Sequence, residues 1–289
     1  MHKPYMLFFK VLFLRLPPKK QEALQLHLNK TILTTIQQLP SSFYKNPINP
    51  LFSAGDYLDN INATWITFYL RNFSENDIRL FAASLSEAKR NEVREILLFS
   101  NHSPPLKKEA KKFLQDRLFA KIKNKKKDLL PIECLPEHPL NTLLELTSEQ
   151  LLELINCLGL MDVAHDLKHI IDTVKRKQIQ GALSQKNQNF LKFISHQKES
   201  IAFKRMGLET WDGDLNYLNK LIHQRGLNRL AKALFGQEES LFWYLSHKLD
   251  TSNSSILQQL HTDLKHPKGV LLLIKQIAEL KLLIQENKI

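Results

Sequence analysis

Apolar residues recur along most of this chain at steps of three and four, the spacing that lines one face of an α-helix. From Leu85 to Phe119 (LSEAKRNEVREILLFSNHSPPLKKEAKKFLQDRLF) this pattern predicts two short helices in a hairpin. Val93, Ile96 and Leu97 mark the inner face of the first helix. Leu106, Ala110, Phe113, Leu114 and Leu118 mark that of the second. The break falls at Asn101–Ser103, with Ser103 as N-cap and Pro104 at the first helical position, where no N–H is needed. Upstream, Leu24, Leu28, Ile32, Leu33 and Ile36 share one face of a helix running from Pro17-Pro18 to before Pro40. A Pro-, Asn- and Ser-rich loop follows, then a helix over Tyr57 to Asn72 bearing Trp65, Phe68 and Tyr69. The next helix has a local start signal: Ser74 as N-cap, Asp77 three residues on, and Phe73 placed to staple onto Ile78.

The texture changes at KNKKKDLLPIECLPEHP, where a lysine run and three prolines cannot form a helix interior. It divides the chain into an N-terminal helical domain over 1–122, a Lys/Pro-rich linker over 123–145 and a C-terminal helical domain over 146–289. The second domain opens on Thr147, which can cap with Gln150 while Leu146 staples onto Leu151; Gly159 then ends that helix. Further helices are expected over Asp162–Lys177, Ser184–His196, Asp214–His223, Gly226–Phe235, Glu238–Leu249, Ser254–Leu264 and Val270–Gln285. The expected fold class is all-α: short helical hairpins in an armadillo-like superhelix or irregular bundle, with repeats too divergent for a fixed period.

Composition narrows function more than fold. Only 8 of 289 residues are Gly, and neither G-x-G-x-x-G nor G-x-x-x-x-G-K-[ST] occurs, so a phosphate-cradling loop has no sequence support. The formal charge is +12, with its excess concentrated between Lys107 and Asp128. Lys107, Lys108, Lys111, Lys112, Lys123, Lys125, Lys126 and Lys127 form a basic patch. It reads either as a surface for nucleic acid, anionic lipid or an acidic protein, or as a solvated helix face running into the linker. Nucleic-acid binders interleave aromatics with such cations, whereas Phe113 and Phe119 are expected on the apolar stripe.

Cys134 and Cys157 form no metal or redox motif and suit reduced thiols in a cytoplasmic protein. The apolar stretch Tyr5 to Leu16 is interrupted by Lys10 and Arg15. It is too short to span a bilayer and reads as a core or partner-binding helix, with membrane-surface contact as the alternative.

Candidate chemistry is sparse. His165 and His169 are four apart on one helical face with Asp162 and Asp166 nearby, a weak relative of H-E-x-x-H that lacks the Glu and a third ligand. Asp212 and Asp214 suit a helix N-terminus better than acid–base work. Phe242, Trp243 and Tyr244 could form an interface hot spot or, at helical spacing, a core. The chain is expected to be no enzyme and to need no cofactor or metal.

Two stretches resemble the flagellar motor switch protein FliG. Leu85 to Phe119 is similar to its arginine-rich helix, Ser-Pro turn and acidic-basic helix. His223 to Leu249 (HQRGLNRLAKALFGQEESLFWYLSHKL) is similar to its C-terminal run of Ala-Leu, Gly, paired acids and an aromatic-led helix. Glu137-His138-Pro139 resembles the start of the Glu-His-Pro-Gln motif that faces a rotor partner, with Leu140 in place of Gln. The helix that meets the stator in FliG carries alternating charges, but the matching stretch, Thr251 to Leu264, has Asp263 as its only charge. The resemblance therefore implies a rotor-derived adaptor that does not generate torque, as in the SctK family of type III secretion. Such a protein would link the inner-membrane ring to cytoplasmic sorting-platform, C-ring or stalk proteins, reaching the membrane through its partners. Glu137, His138, Pro139, Phe242 and Trp243 would be partner-binding residues. A basic helical nucleic-acid-binding protein is the alternative.

Overall fold

The computed structural model describes residues 16–38, 53–100, 104–123, 129–195 and 205–286, with Met6, Phe9, Lys10 and 12–14. Among them there is no strand: the fold is all-α, as the periodicity predicts. The chain divides into two compact units, Met1–Glu137 and His138–Ile289. The division falls within the expected linker, but the described part of that linker is packed rather than solvated. Leu130, Cys134 and Leu135 are buried before the boundary, and Leu140, Leu143 and Leu146 after it. Prolines rule out a long helix here, and the apolar residues between them are accommodated instead around 3-10 turns at Ile132–Cys134 and Pro139–Glu145.

The first unit contains α1 (Pro18–His27), α2 (Lys30–Gln38), α3 (Ala54–Asn60), α4 (Ala63–Leu70), α5 (Glu75–Ser84), α6 (Glu87–Leu97) and α7 (Lys108–Lys123). Met6 and Ile36 are buried together with Phe9 and Ile32 against them, so the apolar N-terminal stretch serves a small core. Two expected helices are each split. Leu28 and Asn29 separate α1 from α2, and Asn62 restarts the chain as N-cap of α4 by accepting the Thr64 N–H at 3.0 Å. Ser74 caps α5 at the Asp77 N–H as expected, while the Phe73 ring lies edge-on to Phe81.

The hairpin expectation needs correcting. Helix α6 ends early, with Leu98 in the left-handed region at φ 54°. Residues 104–107 are not helical, and α7 starts at Lys108. Pro105 disfavours helical backbone at Pro104, so the proline pair delays the start; Ser103 lies outside the described residues. The two helices do not pack along each other. Helix α6 lies on α4 and α5, and α7 lies on α3, α4 and α5. Gln115 of α7 donates to the Ser84 carbonyl at the end of α5 (2.8 Å), and Phe119 stacks on Tyr57 with centroids 4.7 Å apart.

The second unit contains α8 (Ser148–His169), α9 (Thr173–Ala182), α10 (Gln185–Ser195), α11 (Leu215–Leu234), α12 (Glu239–Lys248), α13 (Thr251–Leu260) and α14 (Pro267–Gln285). Its centre is the crossing of α8 and α11. Gly159 does not end α8, and Gly226 does not begin a new helix. Each lies mid-helix against the other helix's backbone. A Cβ on Gly159 would stand 2.0 Å from the Ile222 carbonyl oxygen, and one on Gly226 only 1.8 Å from that of Ile155. Glycine costs about 1 kcal/mol in a helix interior, and here its lack of a Cβ is what lets the two backbones approach. Helix α10 packs on α8, α13 on α11, and α14 on both central helices.

Candidate functional site

The polar residues singled out on α8 are drawn into structural duties. Asp162 and Asp166 are both buried on one side of the helix. Arg229 of α11, fully buried, donates through Nε to Asp162 Oδ1 at 3.0 Å and through Nη1 to Gln276 Oε1 of α14 at 3.3 Å. This buried pair ties three helices together, and removing one partner of such a pair costs ~3–5 kcal/mol by stranding the other charge. Asp166 Oδ2 accepts the N–H groups of Gly207 and Leu208 at 2.9 and 3.3 Å, fastening the 3-10 turn Leu208–Thr210 to α8. The His165 and His169 rings lie 4.6 Å apart, with His169 Nδ1 2.8 Å from the His165 carbonyl oxygen. No group of three or more His, Cys, Asp or Glu is placed to hold a metal ion among the described residues.

Asp214 is the N-cap of α11, accepting the N–H groups of Asn216 and Tyr217, while Asp212 accepts the N–H of Asp214. Both carboxylates therefore do what a helix N-terminus asks of them. Cys134 and Cys157 are buried and free of disulfide. Burial, reinforced by the Glu153 carboxylate, pushes the Cys157 thiol up to about 12, despite the opposing Lys186 charge. A thiol held protonated in this way is not a nucleophile.

The expected partner-binding residues separate into surface and interior. Glu137 and Pro139 are exposed. His138 is half-buried and uses Nδ1 to accept the Leu140 N–H at 3.2 Å as N-cap of Pro139–Glu145, and burial lowers its pKa. Trp243 is buried, stacked on His247 with centroids 3.9 Å apart, so it belongs to the core and presents little surface. Phe242 is half-buried against His261, centroids 4.1 Å apart. The same helix supplies a fastening that sequence reading missed. Lys248, buried, donates from Nζ to the Leu144 and Leu146 carbonyls, and the Ser148 hydroxyl donates to the Lys248 carbonyl at 3.1 Å. A cation at the carbonyl end of a helical turn is favourably placed for its dipole, while burial lowers the Lys248 pKa.

Exposed apolar residues flank one junction in the second unit. Asp172 caps α9 and Asp214 caps α11, and both first turns meet at Trp211: Lys175 of α9 donates to the Trp211 carbonyl, and Trp211 Nε1 donates to the Asp214 carbonyl at 2.9 Å. Around this junction Ile171 is 94% exposed, and Val174, Leu215 and Tyr217 are also exposed. Neither helix pattern flagged them.

The basic patch is partly described. Lys107, Lys108 and Lys112 are exposed, and Lys111 and Lys123 are half-buried on α7. Lys125, Lys126 and Lys127 lie outside the described residues. Leu114, Leu118 and Ile122 form the buried seam of the helix, and Ala110 and Phe113 are exposed, against expectation. Phe113 is 60% exposed, and the Arg117 guanidinium stands 5.8 Å from its ring centroid. Phe119, by contrast, is half-buried against Tyr57. No helix among the described residues is long and apolar enough to cross a membrane. Comparison of the chain with known proteins finds no matching family model, no matching curated protein and no matching solved structure.

Proposed function

We propose that this chain is a non-enzymatic helical adaptor of a type III secretion or flagellar-type apparatus, linking an inner-membrane ring to cytoplasmic sorting-platform or C-ring proteins. The resemblance of His223–Leu249 to FliG carries the reading. Ala233 and Leu234 close α11, Gly236 turns the chain at φ +76°, and Glu238 caps the aromatic-bearing α12. Helix α13, which follows, carries no charged residue. That favours a joint between proteins over a charge-driven motor element. The exposed Ile171, Val174, Leu215 and Tyr217 supply the kind of apolar surface that partners cover.

Co-purification of the full chain with the ring, sorting-platform and stalk proteins of such an apparatus tests the proposal. Capture of at least one is expected, with Ile171→Asp and Tyr217→Ala each weakening it about tenfold and leaving the unfolding midpoint unchanged. A folded sample that captures none of them rules the adaptor reading out.

A further inference from the structure

Helix α7 packs on α3, α4 and α5, and among the described residues Glu109, Phe113, Asp116, Arg117 and Lys121 on its other side are exposed. At about 100° per residue, Phe113 lies roughly 140° round from Leu118, the middle of the buried seam. The residues beside its ring are charged, with only cations on one side. Arg117 and Lys121, four and eight positions on, are exposed along one flank. Glu109 and Asp116, four positions back and three on, are exposed along the other, with Lys112 beyond them. An aromatic ring of the first unit thus sits largely in solvent, with the Arg117 guanidinium over one face 5.8 Å from its centroid and the other face left for a base.

We propose that Phe113, Arg117 and Lys121 form a strip that binds single-stranded nucleic acid, the ring stacking on an unpaired base and the two cations holding adjoining phosphates. Stacking on an aromatic is available to every base, and Arg beside the ring adds a cation–π contribution. With a rise of 1.5 Å per residue, the strip from Phe113 to Lys121 is about 12 Å long, room for a few nucleotides. A duplex fits poorly, because its bases already stack on one another and its second backbone would run past Glu109 and Asp116. An anionic membrane would satisfy the cations, but it would bring Glu109 and Asp116 to the headgroups and would leave the ring no base to stack on. An acidic peptide would satisfy the cations but would not need the open ring face. This inference does not rest on the adaptor reading, and either can fail alone.

The test is fluorescence anisotropy of a labelled oligothymidylate titrated with the full chain over a range of salt, alongside the same oligonucleotide annealed to its complement. Single-strand binding tighter than duplex binding is expected, with log K falling linearly in log salt. Arg117→Gln and Lys121→Gln should each reduce that slope by about 0.7. Phe113→Ala should weaken binding about tenfold without changing the slope, and Phe113→Trp should preserve it. All these side chains are exposed, so circular dichroism should show the variants folded. Three results overturn the proposal: no single-strand binding at low salt, binding that Phe113→Ala leaves intact, or capture by labelled polyglutamate or phosphatidylserine vesicles but not by the oligonucleotide.

Discussion

His247 is a titratable ring held where water does not reach. It stacks on Trp243, and its Nδ1 donates to the Trp243 carbonyl at 2.8 Å. Burial lowers its pKa from 6.5 to about 4, outweighing the backbone hydrogen bond, which acts in the opposite sense. The unfolded chain therefore binds a proton at this site before the folded one does. The stability tied to a neutral His247 is fully present above pH 6.5, is lost as pH falls through that interval, and levels off below about 4. The interval corresponds to ~3 kcal/mol. Urea unfolding of the wild type should show this acid loss on top of that from carboxylates. In His247→Gln the difference in stability between pH 7 and pH 4 should shrink by a similar amount, and an unchanged difference would show that the ring titrates freely. Phe113 teaches the converse lesson about reading single residues. Leu114, Leu118 and Ile122 already mark the seam at four-residue steps, and a wheel drawn from them leaves Phe113 outside. The apolar count favoured burial; the angle did not.

At the scale of helices, what could be read in advance was whatever is local. Ser74 with Asp77, Thr147 with Gln150, and Asp214 all cap where their spacing says they should, because a cap is settled within four residues. What could not be read was tertiary. Gly159 and Gly226 look like helix punctuation in isolation, yet each is used for the approach of another backbone, which only the folded unit supplies. Gly159→Ala and Gly226→Ala should both remove the slight helix penalty of glycine and still destabilise, because a methyl group at either site displaces the facing carbonyl. Overpacking of this kind costs ~1–3 kcal/mol, and contact with rigid backbone puts these variants at or above the upper figure. At Gly181, where a Cβ meets nothing within 4 Å, the same substitution should be neutral or stabilising. Chemical denaturation of the three variants decides it. Equal effects at all three positions would mean that α8 and α11 are not in backbone contact.

At the scale of the whole chain, each unit has the ingredients of an independent fold. The second is held by its own crossing, by the buried Asp162–Arg229 pair, and by Lys248 fastening the turn Pro139–Glu145 to α12. Lys281 of α14 reaches Glu145 at 2.7 Å, so the same turn is gripped from two helices. These contacts tie the 3-10 turn to the second compact unit, which begins at His138, and Leu140 and Leu143 are buried in it. A fragment beginning at His138 should be helical by circular dichroism and unfold in one cooperative transition in urea. A fragment beginning at Leu146 lacks the turn and leaves the Lys248 ammonium buried without the Leu144 carbonyl. It should lose several kcal/mol or fail to unfold cooperatively. Equal stability of the two fragments would show that the turn is a dispensable tether, and the boundary would then move back toward Thr147.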